Sequence, residues 1–424
     1  MTEVIDSLGI AAPFDDARSG CGPIRPEAET PTTSGLRHRI FECVRAAGQI
    51  SRRDVAKHLK VSPASVTALA GELLELGLLQ EESETAPSSA RGRPPVALSV
   101  RPDAGYVVGI KLSRTQHTAL LVDAAGQPVA HASLKGLPRK RSVNQILSET
   151  GQVLDDLLAQ TGLARADISC IGLGLPGMID HASGRMVWSP LLTESDRPLR
   201  TLAEDRFGVP VAVDNDTNIV TLAELWFGRG RALPDFAVVT IEQGVGMGLV
   251  INHRLYRGAG GLGMELGHTK VQIDGALCAC GQRGCLEAYL ADYALVREAS
   301  TALDSPETAP AGPEVALQRL FEQAKAGNEA ARVIFRRAGR FLALGLANVV
   351  NLFDPPLIIL SGARMQYDYL YADDVLAEME SLALDRKAGP QRVEIHAWGD
   401  LMWAHGAAAL ALSEIADMMA ERAS

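Results

Sequence analysis

Between Glu265 and Glu287 the chain reads ELGHTKVQIDGALCACGQRGCLE, which puts one histidine and three of the six cysteines within reach of a single divalent ion. Zinc in a closed structural site takes four soft or borderline ligands at tetrahedral geometry, and Cys3His is one of its standard sets. Here that set is His268, Cys278, Cys280 and Cys285. A C-x-C pair on a tight turn, with Gly281 and Gly284 allowing sharp bends before and at the third thiolate, can wrap three sides of an ion, and His268 closes the fourth. Three reduced cysteines packed in a core would account for the clustering but not for the interleaved glycines. Glu265 precedes the histidine and Glu287 follows the last cysteine. A metal-braced loop with a carboxylate at each end is built to aim both at something.

Positioning such a loop needs a large scaffold, and 424 residues suggest two or three domains. Apolar residues make up 47% and charged residues 22%, enough for buried cores. No stretch approaches the roughly 20 apolar residues of a membrane span, and the N-terminus lacks a basic segment followed by an apolar run, so neither membrane insertion nor secretion is expected. Metal-type cysteine spacing, with only Cys21, Cys43 and Cys170 left over, points to a reducing cytoplasm. The net charge of -10 argues against nucleic acid only if it is uniform, and it is not: Leu36 to Arg101 carries ten Lys/Arg against seven Asp/Glu.

Residues 1–34, rich in Pro, Gly, Ser, Thr and acid, read as a disordered extension. Residues 35–101 then follow helical periodicity. Leu36, Ile40 and Val44 share a face; Ser51 with Asp54 starts a second short helix; Ser62-Pro63 starts a third, with Val66, Leu69, Leu73 and Leu76 inward. Leu78 to Glu82 and Pro95 to Val100 can pair as a wing, completing a winged helix-turn-helix. The third helix turns Ser62, Ala64, Ser65, Thr67 and Ala68 outward, small groups suited to thymine methyls and phosphates. Arg52, Arg53, Lys57 and Lys60 form a phosphate clamp, and Arg91 and Arg93 in the wing tip suit a minor groove. A helical adaptor that binds protein is the competing reading.

From Tyr106 onward strands and helices alternate in two α/β lobes of similar grammar, 102–229 plus 400–424 and 230–399, the second carrying the zinc loop and a dimerisation surface. Strand Val209 to Val213 runs into Asp214-Asn215-Asp216, with a helix after it.

These elements together resemble the ROK family (repressors, open reading frames and sugar kinases), in particular its DNA-binding branch of glucose-, N-acetylglucosamine- and xylose-responsive repressors. The resemblance spans Gly35 onward and rests on the winged helix-turn-helix with Arg91-Gly92-Arg93-Pro94, Gly174-Leu175-Pro176-Gly177, Asp214-Asn215-Asp216, Glu265-Leu266-Gly267-His268 and the cysteines ending Cys285-Leu286-Glu287. It implies a two-lobed actin-like, ribonuclease-H-like fold, structural zinc, and a monosaccharide held by Asn215, Asp216, Glu265, His268 and Glu287. In the family's kinases the residue matching Asp216 is the general base. Those kinases place Asp-x-Gly-Gly-Thr-Lys in the first hairpin, where this chain has Lys111-Leu112-Ser113-Arg114-Thr115-Gln116; Glu242-Gln243-Gly244 replaces Gly-Thr-Gly, and Leu360-Ser361-Gly362 keeps one glycine of a pair. Side chains and a carboxylate along the phosphate path argue against ATP and leave Asp216 as a vestigial base. The resulting expectation is a sugar-responsive repressor of carbohydrate uptake and catabolism genes, a homodimer or homotetramer on a palindromic operator. An active sugar kinase with an attached DNA-binding module is the alternative, and a partner-controlled scaffold a third.

Overall fold

The computed structural model describes residues 20–25, 35–82, 96–302, 313–362, 365, 373–384, 391–396, 399 and 401–422. The chain divides into two compact units, one holding described residues up to Pro234 together with 250–262 and 399–422, the other 235–249 and 263–396. Among the described residues no helix is long and apolar enough to cross a membrane.

The first unit opens with three helices, α1 (Leu36–Ala47), α2 (Arg52–His58) and α3 (Pro63–Glu75). Each later helix begins at the cap its sequence offers: the Ser51 hydroxyl accepts from the Asp54 N–H, and the Ser62 hydroxyl from the Ser65 N–H ahead of Pro63. Ile40, Val44, Val55, Val66, Ala70, Leu73 and Leu98 are buried together. Leu76, expected inside, is instead 58% exposed, because α3 ends one residue earlier and Leu76 is its C-cap. Strands β1 (Ile50–Ser51), β2 (Leu79–Glu82) and β3 (Ala97–Val100) form a small antiparallel sheet in the order β1–β3–β2. The first of these was not expected; two residues carry no alternation to reveal it.

Residues 20–25, inside the segment expected to be disordered, are packed. The Cys21 N–H donates to the Arg45 carbonyl and the Gly22 N–H to that of Trp226, and Cys21 is 2% exposed. Composition misleads here because the six residues gain their order from hydrogen bonds to distant carbonyls, not from an apolar pattern of their own.

The rest of this unit is built on a five-stranded sheet. Strands β4 (Tyr106–Lys111), β5 (Gln116–Asp123) and β6 (Pro128–Lys135) form a meander, then β7 (Ile168–Leu175) joins β4 in parallel. A side hairpin pairs β8 (Met178–Asp180) with β9 (Arg185–Trp188), and β10 (Val211–Asn215) lies parallel to β7. The order is β10–β7–β4–β5–β6. Helices α4 (Val143–Ala159) and α5 (Leu199–Phe207) cover one face, burying Ile146, Leu154 and Phe207 against Val108, Ile171 and Val213. Helix α6 (Asp216–Trp226) follows β10 directly.

In the second unit β11 (Phe236–Ile241) lies between β12 (Val245–Ile251) and β14 (Ile358–Ser361), with β15 (Val393–His396) parallel beyond. The short β13 (Arg254–Tyr256) falls in the hairpin grouped with the first unit. Helices α7 (Glu287–Leu290), α8 (Asp292–Ala302), α9 (Pro313–Lys325), α10 (Glu329–Phe353) and α11 (Asp373–Leu382) surround one core that includes Leu249, Leu286, Phe335 and Leu346. Helix α12 (Met402–Arg422) returns to the first unit. It sits directly on the sheet because Gly109 and Gly172 have no side chain: a Cβ on either would lie 2.1 or 1.9 Å from a carbonyl oxygen of α12. On its other flank, a Cβ at Gly406 would lie 1.7 Å from the Ile219 carbonyl of α6. Close backbone approach therefore fixes α6, and with it the β10–α6 junction.

Candidate functional site

In the second unit the ligand atoms of His268, Cys278, Cys280 and Cys285 all lie within 4.8 Å of one another. Cys280 Sγ is 3.8 Å from Cys285 Sγ, and Cys278 Sγ is 3.7 Å from His268 Nδ1. Zinc–sulfur bonds of about 2.3 Å put two thiolates of a tetrahedron about 3.8 Å apart, the spacing these pairs have, so the donor set suits a zinc ion. The loop reaches this shape through two left-handed glycines, Gly281 at φ 85° and Gly284 at φ 75°. At Gly284 even the space is restricted, since a Cβ would sit 1.8 Å from the Gln272 carbonyl. The Lys270 ammonium donates to Cys285 Sγ at 2.9 Å, a charge suited to a thiolate.

The flanking carboxylates join this cluster. His268 turns Nε2 toward Glu265, 4.0 Å from its Oε2, while Nδ1 faces the cysteines. Glu287, 8% exposed, accepts from the Val245 N–H at 3.3 Å and from the Tyr293 hydroxyl at 3.4 Å, with Cys278 Sγ 3.5 Å from the same Oε1. Tyr293 also reaches Cys278 Sγ at 3.6 Å. One phenol thus touches both a sulfur of the cluster and the carboxylate, a role that no sequence pattern marks because Tyr293 reads as an ordinary helix residue.

Asn215 and Asp216 stand in the first unit, at the junction of β10 and α6. Asn215 caps α6: its Oδ1 accepts from the Thr217 and Asn218 N–H groups, and its Nδ2 donates to the Gly177 carbonyl at 2.7 Å. Its amide thus holds this junction through Oδ1 and one Nδ2 hydrogen, and Asp216, half-buried in the first helical turn, offers the carboxylate here. Gly177, at φ 127°, lets that carbonyl approach, since a Cβ would lie 2.2 Å from the Trp188 oxygen. Beneath both residues Asp214 is fully buried, with Arg257 at 2.6 Å, the Asn218 amide at 2.7 Å and His181 at 3.8 Å. Partners 43 residues apart in sequence hide this anchor from any local reading.

Comparison with known protein families matches residues 107–414 to a single family. The chain belongs to the ROK family. It is 26% identical over 373 residues to the xylose repressor of Caldicellulosiruptor bescii, covering 86% of this chain and 92% of that protein. It is 27% identical over 332 residues to the DNA-binding transcriptional dual regulator NagC of Escherichia coli, covering 78% and 80%. A solved ROK family transcriptional regulator, homolog of the E. coli MLC protein, shares the fold with a TM-score of 0.75 at 22% identity over 91% of this chain and 97% of that one. A ROK family glucokinase from Streptomyces griseus, in complex with glucose and AMPPNP, has a TM-score of 0.62 at 27% identity over 73% of this chain and 100% of that one.

The segments expected from the sequence to depart from the kinase motifs make their own contacts. The Lys111 ammonium lies 3.3 Å from the centre of the Trp403 ring, a cation on an aromatic face. The Ser113 hydroxyl donates to the Gln116 carbonyl and accepts from its N–H, closing the hairpin on itself. Arg114 reaches the Pro190 carbonyl. In the second unit the Glu242 N–H donates to the Gly244 carbonyl, and the Glu242 carbonyl accepts from Asp292. Gly362 survives for a local reason: at φ 115° its Cβ would lie 2.7 Å from the Ile241 oxygen.

At the other end of the ROK chain, Ser62, Ala64, Thr67 and Ala68 lie exposed on α3, with Ser65 half-buried. The Thr67 hydroxyl is turned back to the Pro63 carbonyl at 2.8 Å, which leaves its methyl as the outward group. Arg53, Lys57 and Lys60 are exposed, whereas Arg52 is paired with Glu81 of β2 at 2.6 Å. Arg91 and Arg93 lie outside the described residues.

Proposed function

We propose that this chain is a sugar-responsive transcriptional repressor in which a degenerate kinase body, braced by zinc, senses a monosaccharide and controls a winged helix-turn-helix. The observation that carries the reading is coverage. The glucokinase fold accounts for 73% of the chain, whereas the regulator fold accounts for 91%. The xylose repressor match covers 86%, and among the described residues the segment preceding the ROK match contains the three helices and small sheet expected to bind DNA.

Zinc on His268, Cys278, Cys280 and Cys285 would be structural, holding the loop that presents Glu265, the Nε2 face of His268 and Glu287. Hydroxyls of a sugar each donate and accept, which suits these carboxylates and that of Asp216. Asn215, which also fixes the α6 start, joins this sugar-binding set. Operator contact falls to Arg53, Lys57, Ser62, Ala64, Ser65 and Ala68, joined by the Thr67 methyl and the wing arginines Arg91 and Arg93; Arg52 joins them only by leaving Glu81. A second copy supplies the other half-site, since one module presents too few base-reading groups for a genomic site. The retained Asp216 favours a second reading, an active sugar kinase; Lys111 on Trp403 and the self-closed hairpin weigh against it.

The test is calorimetry across hexoses, pentoses, N-acetylhexosamines and their phosphates, with operator binding measured in parallel. One of these sugars should bind and release DNA, Glu265→Gln should lower its affinity by at least about 100-fold through loss of a charged hydrogen-bonding partner, and operator affinity without sugar should stay unchanged. ATP-dependent phosphorylation of the bound sugar at the roughly 1–100 per second of a working kinase would replace this reading with the second.

A further inference from the structure

Helix α6 begins at Asp216 and ends, about 16 Å further on, at Trp226. Its far end is joined to α1 by the packed strap Gly20–Arg25. The strap donates from Gly22 N–H to the Trp226 carbonyl (2.8 Å), from Ile24 N–H to the Arg231 carbonyl (2.7 Å) and from Cys21 N–H to the Arg45 carbonyl (3.0 Å). Arg231, in the 3-10 turn after α6, bridges the same elements with its guanidinium: Nε donates to the Gly22 carbonyl at 3.0 Å and a terminal nitrogen to the Ala46 carbonyl at 2.6 Å. Arg45 and Ala46 belong to the last turn of α1, where carbonyls run out of intrahelical donors, and that of Arg45 also accepts from the C-cap Gly48 N–H at 3.3 Å. The C-terminus of α1 is thus capped by the strap and by a cation from the sensor body.

Three further contacts lock the joint. The buried Arg45 guanidinium lies 4.3 Å from the Trp226 ring centre, pairs with Glu42 at 2.6 Å and reaches the Leu412 carbonyl of α12 at 3.5 Å. Gly20 has no side chain because a Cβ would sit 2.0 Å from the Arg45 oxygen, and Gly126, at φ 82°, leaves room for Cys21 Sγ, which its own Cβ would meet at 2.4 Å. Burial raises the Cys21 thiol to about 11, keeping it neutral beside Arg231. A fork-shaped cation holding two carbonyls on different segments constrains orientation as well as distance, which a single-point lysine contact would not.

We infer that Arg231 and the Gly20–Arg25 strap are the mechanical link through which a displacement of α6 reaches the DNA-binding helices. The inference rests on the sugar reading for the identity of the signal, and on the joint alone for its route. Arg231 is a positioning residue: it touches neither DNA-facing side chains nor the sugar carboxylates. Loss of the link should separate two properties that are coupled in the intact protein, leaving each binding site functional while removing the effect of one on the other.

The experiment uses full-length zinc-loaded protein, a palindromic DNA selected from random sequence with the wild type, and the tightest-binding sugar of a monosaccharide panel. Saturating sugar should weaken wild-type DNA binding by roughly 10- to 100-fold. In Arg231→Ala, and independently in Gly20→Val, sugar affinity and sugar-free DNA affinity should each stay within about threefold of wild type while the sugar effect falls to within about twofold of none. Arg231→Lys should recover part of it. Two folded variants that keep the wild-type ratio overturn the inference. If the wild type binds no sugar, the sugar reading fails separately, and the link is read by hydrogen exchange instead. Asp216→Asn at the start of α6 should then change exchange at Arg45–Ala47 in the wild-type background and leave it unchanged with Arg231→Ala; equal changes in both backgrounds overturn it.

Discussion

Serine in place of Cys278 or Cys285 is expected to release the zinc and, with it, the response to sugar. Both sulfurs are buried, at 3% and 0% exposure, so neither position can be filled by solvent without opening the loop. A protein purified without added metal should hold one zinc per chain by elemental analysis, and the variants close to none. Loss of one of four ligands should weaken metal affinity by more than the roughly 10- to 100-fold typical of an outer-sphere change. Tyr293→Phe provides that smaller comparison: the ring stays, the contacts to Cys278 and Glu287 go, and zinc affinity and sugar affinity should fall together by about tenfold. Without metal the chain from Glu265 to Glu287 should become a preferred cleavage site in limited proteolysis. A wild-type preparation that is metal-free, folded and equally resistant would remove zinc from the account.

The gathering of His268, Cys278, Cys280 and Cys285 was legible in the sequence because all four fall within eighteen residues, and local spacing constrains local geometry. The helix caps at Ser51 and Ser62 were legible for the same reason: a cap is a relation among four consecutive residues. What stayed hidden is long-range. Asn215 reads as a sugar-binding amide from its motif; that its Oδ1 also caps the first turn of α6 and one Nδ2 hydrogen also goes to the Gly177 carbonyl is visible only once β7 and β10 stand side by side. The strap Gly20–Arg25 has the composition of a disordered tail and is ordered by carbonyls 24 and 204 residues away, those of Arg45 and Trp226. Glycines 109, 172 and 406 look like breaks in their elements, and their use lies in the backbone of a neighbour.

The same distinction explains the second large effect, at Arg141. Its side chain is completely buried and donates to Glu149 at 2.8 Å and to the Ser113 carbonyl at 3.0 Å. His117, also fully buried, accepts from the Ser113 N–H through Nδ1 and faces Glu149 through Nε2 at 2.8 Å. These groups lock the hairpin Lys111–Gln116 from beneath. Arg141→Met is expected to destabilise the protein by about 3–5 kcal/mol, because Glu149 keeps a largely buried charge with its strongest partner gone. Arg141→Met combined with Glu149→Leu should recover most of the loss, since a buried pair replaced by apolar side chains is often near neutral. The pH dependence follows from His117. Burial holds its pKa below the ordinary imidazole value, Glu149 opposes this through its hydrogen bond, and the Arg141 charge adds to the lowering. Without Arg141 one of the two lowering causes is gone and the folded-state value rises toward the unfolded one. The wild type loses stability as pH falls through the unfolded imidazole value, because its His117 resists protonation, and the variant loses less. The stability gap between wild type and Arg141→Met should therefore narrow as pH falls from about 8 to about 6. Denaturant titrations at several pH values measure it directly, and a gap that stays constant or widens toward acid would show that Arg141 does not hold the His117 value down.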